Sequence, residues 1–523
     1  MSRPGWVLVA ALLCGGAQAV SLAWPWAGAW AGQPWPLLQW LSLLGLVGLL
    51  RSAPTAAAAG VRGWLFAQAW LAGTFWWLFI SMHTYGGLAA PLAALAVWVL
   101  AAALGLYYGV AAWLFWRWHD AAPWRQALAF AALWTLAEWA RGTWFTGFPW
   151  GAGGYAQVDA LAWLAPWVGV YGMGAVSAGL AAWVAAWACG QGGRRWLRVL
   201  ALVPWWACLL VPSLGAAWLA WQPAWTRPHG SLAVTLLQGN IPQDEKFQGG
   251  SGIPLAMQWY AEQIRAAIAQ SAAPALVVAP ETAIPVLPQE LDPAYWQGLM
   301  RDVAVRGSAV MLGVPLGSSA VGYTNSVVAW TPAPLAAYRY DKHHLVPFGE
   351  FIPPLFRWFV ALMNIPQGEF GRGGLAQPAL PWAGQRIAPN ICYEDLFGEE
   401  LAASFTVPGQ APTVLVNVSN IAWFGNSVAI DQHRHISRLR ALELQRPMLR
   451  ATNTGATVAI DHLGRVQAEL PRLTRASLQA TVEGREGTTP YAWWAGRWGL
   501  WPLVGACVVA LWLCRPRRMA HLP

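Results

Sequence analysis

Three short strings carry side chains able to do covalent chemistry. They are Ala279-Pro280-Glu281-Thr282, the run from Tyr340 through Lys342 and His343-His344 to Gly349-Glu350, and Asn390-Ile391-Cys392-Tyr393-Glu394-Asp395. Between them they supply a carboxylate, an amine and a thiol. Cys392 is the single cysteine between residues 226 and 490, so it has no partner there for an intramolecular disulfide. A lone cysteine reads either as a small buried core residue or as a reactive thiol. Its acidic, aromatic flank, at the end of an apolar run, favours the nucleophile. A free thiol is only a few per cent ionised near neutrality, so it needs a base to act. Glu281 follows an apolar run and a proline; partial burial there raises a carboxyl toward neutrality and makes a usable base. Lys342 stands out by rarity: the chain has 32 basic residues, and only Lys342 and Lys246 are lysine. Arginine serves as a fixed charge, whereas lysine is a compact ammonium whose proton can be tuned. Glu350 lies eight residues further on in the same string. Lys246, in the polar loop Pro242-Gln243-Asp244-Glu245-Lys246-Phe247, reads as a solvated or lipid-facing charge.

The elements that must hold these strings alternate between short apolar runs and helix-like stretches. Strands are expected at 231–238, 275–279, 309–314, 326–330, 386–391, 413–418 and 457–460, and helices at 253–270, 292–306 and 431–445. That alternation predicts an α/β domain, and unbroken runs such as Ala275–Ala279 predict strands covered on both faces. The three strings then fall at strand ends, where α/β folds place their chemistry.

The rest of the chain is different in kind. Hydrophobic residues make up 57% of 523 residues and charged residues 11%, too few charges for an ordinary soluble enzyme. Residues 1–225 hold three acids and nine arginines; residues 226–490 hold twenty acids and nineteen bases; residues 491–523 hold four arginines and no acid. This predicts a membrane domain over 1–225, a water-exposed catalytic domain over 226–490, and a last span with a basic tail over 491–523. Apolar runs at 5–22, 33–50, 61–80, 88–116, 124–140, 158–189, 196–221 and 498–514 give about eight transmembrane helices, the fifth being short and carrying Glu138. With the N-terminus in the cytoplasm, eleven arginines fall inside and, among the short outer loops, only Arg141 falls outside. The positive-inside rule therefore puts both termini in the cytoplasm and 226–490 outside it. The net charge of +9 follows from this asymmetry and does not point to nucleic acid. The first run also has features of a cleaved signal peptide, ending at Ala17-Gln18-Ala19; cleavage would leave the location of the catalytic domain unchanged.

Taken together, the Pro-Glu-Thr, Lys-to-Glu350 and Ile-Cys-Tyr-Glu-Asp strings resemble the nitrilase, or carbon–nitrogen hydrolase, superfamily over about residues 230–485. With seven preceding spans and one following, the whole chain resembles the bacterial apolipoprotein N-acyltransferase family. Agreement extends to Gln238-Gly239-Asn240-Ile241-Pro242-Gln243, Tyr323-Thr324-Asn325, Ala422-Trp423-Phe424-Gly425 and Arg440–Pro447. Two positions depart from the family pattern: Ile421 stands where Asp is usual, and Phe247 where Trp is frequent. The resemblance implies a four-layer α-β-β-α sandwich with Glu281 as proton acceptor, Lys342 as oxyanion stabiliser and Cys392 as nucleophile. Glu350, Tyr393, Glu394, Asn325 and Trp423 are the expected supporting residues. It implies a phospholipid acyl donor, a diacylated apolipoprotein acceptor, a bacterial inner-membrane location with a periplasmic catalytic domain, and no cofactor.

A catalytic domain that works on bilayer-anchored lipids avoids extracting them, at about 0.8 kcal/mol per CH₂ exposed. The stretch Phe351–Pro366 is too apolar for a solvent loop and too short to span. It reads as an arm against lipid through Phe351, Phe356, Trp358 and Phe359, or as a core helix; Trp423 has the same two readings. Other classes also fit part of the pattern. A membrane-tethered amidase or nitrilase would use the same three residues and pass the acyl group to water. A transporter would need more intramembrane charge than Glu138, and Arg141 is nearby to pair with it. His433 and His435 are spaced i,i+2 on a helix-like stretch, which does not place both on one face, so no metal site is expected.

Overall fold

The computed structural model describes residues 4–189, 225–271, 274–332, 337–353, 358, 369–407 and 409–515. They divide into two compact units, one of Met1–Trp76, Pro91–Pro223 and Leu500–Pro523, the other of Trp77–Ala90 and Ala224–Gly499.

The first unit is helical. Three helical segments are long and apolar enough to cross a membrane: Gly5–Leu22, Ala90–Trp118 and Ala162–Ala188. Two helix pairs, Ala56–Thr74 with Leu78–Tyr85 and Pro490–Trp498 with Trp501–Leu513, pass the same test only when each pair counts as one span, although Leu78–Tyr85 and Pro490–Trp498 belong to the second unit, and Pro36–Arg51 is shorter. The expected run at 124–140 is the helix Pro123–Thr143, which carries Arg125, Glu138 and Arg141. The run at 196–221 lies outside the described residues, so the count of eight is not reached. Large apolar side chains such as Leu95, Trp98, Leu106 and Val110 are exposed along one helix, as hydrocarbon contact demands. Where helices pack on each other, small residues let the backbones approach. A Cβ on Gly63 would lie 2.3 Å from the Cβ of Ala112.

Arg141, expected in an outer loop, lies at the end of this helix and is buried, as is Glu138. Arg141 donates to the Tyr108 hydroxyl and to the carbonyls of Phe148 and Trp150, and the Glu138 carboxylate accepts the Gly153 N–H at 2.6 Å. Both tie down irregular backbone after the helix, which in an apolar surround must have its polar groups satisfied.

The second unit is an α/β domain with two six-stranded sheets. One runs β12-β1-β2-β3-β4-β5, from Ala476–Gly487 through Thr226–Gln238, Leu276–Val278, Ala309–Ser318 and Gly322–Trp330 to Tyr338–Asp341. The other runs β11-β10-β9-β8-β7-β6, from Val466–Glu469 through Val458–Ile460, Met448–Thr452, Val414–Ser419 and Gln385–Ile391 to Leu380–Trp382. The β1–β2–β3 and β7–β8–β9 pairings are parallel, and the rest are antiparallel.

Alternation along each strand explains why the central runs look uniformly apolar. Leu232, Val234, Leu236, Leu276, Val278, Ala309 and Met311 face a core shared with Ile387, Ile391, Val414, Val416 and Val418 of the other sheet. Their neighbours Leu237, Val277, Val310 and Leu312 face the helices Gly252–Gln270 and Pro293–Val305. Burying each such Leu or Val contributes about 1.5–3 kcal/mol. The seven expected strands and three expected helices are all present, with ends displaced by a few residues. Five further strands, β5, β6, β9, β11 and β12, were not expected.

Candidate active site

Each chemical string leaves the C-terminal end of a strand. Glu281 follows β2, Lys342 follows β5 and Cys392 follows β7. Two of these exits are left-handed: φ is +50° at Thr282 and +52° at Cys392. A non-glycine residue is costly there, and such positions persist only where the surroundings hold them. The Glu281 turn presses so closely on β3 that only glycine fits opposite it. A Cβ on Gly313 would lie 2.5 Å from the Thr282 nitrogen and 2.6 Å from the Glu281 Cα.

Glu281 is buried and fully engaged. Its Oε1 accepts from Asn325 Nδ2 at 2.8 Å and lies 3.5 Å from Lys342 Nζ, and its Oε2 accepts the Asn420 N–H at 2.8 Å. The same Asn325 amide donates to Glu350 Oε1 at 2.7 Å, and Lys342 Nζ donates to that oxygen at 2.9 Å. Glu350 Oε2 accepts the Val346 N–H at 2.8 Å, which fixes the carboxylate within its own loop. The Asn325 side chain thus spans two carboxylates, and its backbone carbonyl also accepts the Lys342 N–H at 2.9 Å.

Glu394 is a staple between strings. Its Oε1 accepts the N–H groups of His343 and His344, and its Oε2 accepts the Ile391 N–H and the Tyr340 hydroxyl. One side chain therefore sets the loop after Lys342 against the turn that carries Cys392. Tyr393 is buried beside it against the rings of His344 and Phe397. Beneath Cys392, its carbonyl meets Asn417 Nδ2 at 3.1 Å and His433 Nε2 at 3.2 Å, and His433 Nε2 also lies 2.8 Å from Asp395 Oδ1.

These surroundings set the ionisation states. Burial pushes the Cys392 thiol up, and the Glu281 carboxylate pushes it further, to about 12, with the Lys342 ammonium pulling the other way. Cys392 is therefore a neutral thiol. Burial also acts to raise Glu281, but Lys342, Asn325, Asn420 and Lys246 outweigh it, and the net position lies below the ordinary carboxylate range. The expectation that burial alone would carry Glu281 toward neutrality is corrected: the cations and donors packed around it win. Burial acts to lower Lys342, but Glu350 and Glu281 more than reverse this, so it stays an ammonium.

Lys246 is a second correction. It is not on the surface but 2% exposed, with Nζ donating to the backbone carbonyl of Glu281 at 3.2 Å. Burial brings it down to about 8, against the pull of Glu281 and Cys392. Its rarity was the available signal, since both lysines of the chain lie at Glu281. Asn420, Asp395 and His433 were also missed, because backbone donors and buried supports leave no mark in residue type.

Trp423 is half-buried. Its ring meets Tyr85 edge-on at 5.7 Å between centroids, and Phe424 lies 4.2 Å from Trp77, whose Nε1 donates to Gln432 Oε1 at 3.1 Å. Residues 77–80, expected as the end of a membrane span, instead pack within the α/β unit. Of the expected arm, Phe351 is half-buried under the Arg372 guanidinium and Trp358 is 65% exposed; Phe356 and Phe359 lie outside the described residues.

Comparison with known proteins agrees over both units. Residues 19–183 match the apolipoprotein N-acyltransferase N-terminal domain, and residues 234–491 match the carbon-nitrogen hydrolase domain. Apolipoprotein N-acyltransferase of Verminephrobacter eiseniae is 54% identical over 519 residues, covering 95% of this chain and 94% of that protein. That of Ralstonia nicotianae is 47% identical over 500 residues, covering 94% and 91%. That of Bordetella bronchiseptica is 41% identical over 541 residues, covering 97% of each. At such identity over nearly the full length of both partners, the chain belongs to the apolipoprotein N-acyltransferase family.

Proposed function

We propose that this membrane protein transfers an acyl chain from a phospholipid to the α-amine of the N-terminal diacylglyceryl-cysteine of a lipoprotein, through a thioester on Cys392. The observation that carries the reading is the closed set of Glu281, Lys342 and Glu350 bridged by Asn325 beside Cys392. The family supplies the lipoprotein acceptor.

The ionisation states suit attack with simultaneous proton transfer. A thiol near 12 does not ionise ahead of a carboxylate this acidic, so the proton moves to Glu281 as sulfur closes on the ester carbonyl. The carbonyl oxygen becomes an oxyanion, which the Lys342 ammonium stabilises; one such contact is worth about 3 kcal/mol in the transition state. Glu350 keeps that ammonium charged and aimed. Collapse breaks the ester C–O bond, and Glu281 returns its proton to the departing lysophospholipid oxygen. The low carboxyl pKa helps here, because protonated Glu281 is then a strong acid. The lipoprotein amine next attacks the thioester, Glu281 takes its proton, the C–S bond breaks, and the thiolate recovers the proton. Glu394 and Asn325 act as positioning residues throughout, and Tyr393 packs under the nucleophile turn. No metal or cofactor enters any step.

The arginine distribution supports an inner-membrane setting with the termini cytoplasmic and residues 226–490 periplasmic, between a membrane domain of 1–225 and a final span in 491–523. Phe351, Trp358 and Trp423 are the residues proposed to meet lipid. Transfer of the acyl group to water is not favoured, since the full-length relatives are acyltransferases. The test is mass spectrometry of the full chain incubated with phospholipid alone. A hydroxylamine-labile acyl adduct is expected on Cys392, and a diacylated lipopeptide should discharge it as an amide. Absence of the adduct in folded protein sinks the thioester route, and discharge as free fatty acid restores the hydrolase.

A further inference from the structure

Lys246 has no part in the steps above, yet its placement is demanding. Its ammonium is buried, no carboxylate pairs with it directly among the described residues, and its hydrogen bond goes to the backbone carbonyl of Glu281. An unpaired buried cation is strongly destabilising unless its surroundings carry compensating charge. Here the compensation is Glu281 itself, whose backbone carbonyl takes Lys246 while its carboxylate takes Lys342. The loop that delivers Lys246 is knitted to the same carboxylate independently of the lysine. The Lys246 N–H bonds to Pro242 O, Gln243 Oε1 accepts from Asn420 Nδ2, and the Asn420 N–H bonds to Glu281 Oε2. Asn453 closes the ring through Ile241 and the Asn420 side chain.

Residue choice points the same way. Away from Glu281, the deeply buried Arg141, Arg440, Arg446 and Arg450 are arginine, and a chain with 30 arginines places both of its lysines at this one carboxylate. We propose that Lys246 is a positioning residue of the acyl-transfer site: a second buried ammonium that clamps the Glu281 turn through its backbone carbonyl and sets a positive charge beside that residue. Lys342 then serves the oxyanion, while Lys246 tunes the proton carrier so that it returns its proton to the leaving lysophospholipid. The inference rests on the acyl-transfer reading. The titratable groups around Lys246 and Glu281 are Lys342, Glu350, Glu394 and Cys392 at the strand ends, with Asp244 and Glu245 on the loop of Lys246.

The test is the pH dependence of Cys392 acylation in the full-length protein, using a defined diacyl glycerophospholipid in detergent micelles. Lys246→Met keeps the length of the side chain and removes its charge; Lys246→Arg keeps a charge. The expected result is an acid limb displaced upward by about one pH unit in Lys246→Met, together with slower turnover, and a limb at the wild-type position in Lys246→Arg. A Lys246→Met limb that superimposes on wild type overturns the proposal, whatever the amplitude, because a purely structural role lowers the rate without moving the limb. Equal displacement in both variants also overturns it. So does failure of Lys246→Met to fold, judged by tryptophan emission and melting, since that assigns the residue to stability. Wild-type protein that forms no adduct tells against acyl transfer itself and is a separate outcome.

Discussion

Two buried charge clusters lie on either side of the Cys392 turn, and they are built differently. On one side are Glu281, Glu350, Lys342 and Lys246. On the other are Asp395, His433, Ser437 and Arg450. In the second cluster Asp395 takes His433 Nε2 on one oxygen and Ser437 Oγ with Arg450 on the other, while Arg450 also donates to Ser437. Burial acts to raise Asp395, but His433 and Arg450 hold it below the ordinary range. His433 is in turn lowered, by burial first and then by Arg450. This cluster is a fixed support under the Cys392 carbonyl. The first cluster uses lysine in place of arginine, sits beside a neutral thiol, and contains Glu281, the carboxylate proposed to take up and release a proton. Arginine holds a charge that must not change, and lysine sits where the local field must be set by a compact ammonium.

The contrast can be broken at several points. Cys392→Ala removes the sulfur and should abolish the hydroxylamine-labile adduct while leaving the melting temperature close to wild type. Lys342→Met should cut the acylation rate by about 100- to 1,000-fold in a folded protein, the usual cost of losing one oxyanion contact. A similar rate in the variant would move oxyanion stabilisation to another group. Arg450→Met acts in the other cluster and should lower stability by about 3–5 kcal/mol by leaving Asp395 without its cation. Its surviving folded fraction should keep the acid limb of the wild type, measured by acylation against pH. Glu394→Gln keeps shape but exchanges an acceptor for a donor opposite backbone N–H groups. It should slow acylation with a smaller loss of stability, read by single-turnover kinetics beside a thermal melt.

Acid should expose the smallest difference. The folded pKa values of Glu281 and Asp395 lie below their unfolded ones. Each therefore contributes stability that is present above its unfolded pKa, about 4.3 for Glu and 3.9 for Asp, and lost as pH falls through the folded value. Asp395→Asn should flatten the decline of melting temperature over that acid range. Glu281→Gln should flatten it too, while also removing catalysis.

Much of the fold can be read along the chain because both faces of its central strands are apolar. The run 275–279 is unbroken and 413–418 carries Asn417 among its valines and leucine; their ends mark where Glu281 and the Ser419-Asn420 turn emerge. The strands that escaped are of another kind. Ala476–Gly487 pairs with β1 but alternates exposed and half-buried residues, and Tyr338–Asp341 is a short edge. Their pairing depends on a neighbour distant in the chain. Met448–Thr452 is fully buried but follows a helix with only a short break, so its apolar start merges with the preceding pattern.

The candidate site divides in the same way. Residue type alone singled out a lone cysteine, Lys342 as one of two lysines among arginines, and the acidic strings around them, because those chemistries are rare and cannot be exchanged for others. Type could not tell that Lys246 turns inward, that Asn325 and Asn420 hold the two oxygens of Glu281, or that Glu394 staples two loops. Nor could it give the sign of the Glu281 shift, since burial and nearby cations act in opposite directions on one carboxyl. Only their distances decide which prevails, and distances between residues hundreds of positions apart exist only once the sheets have closed.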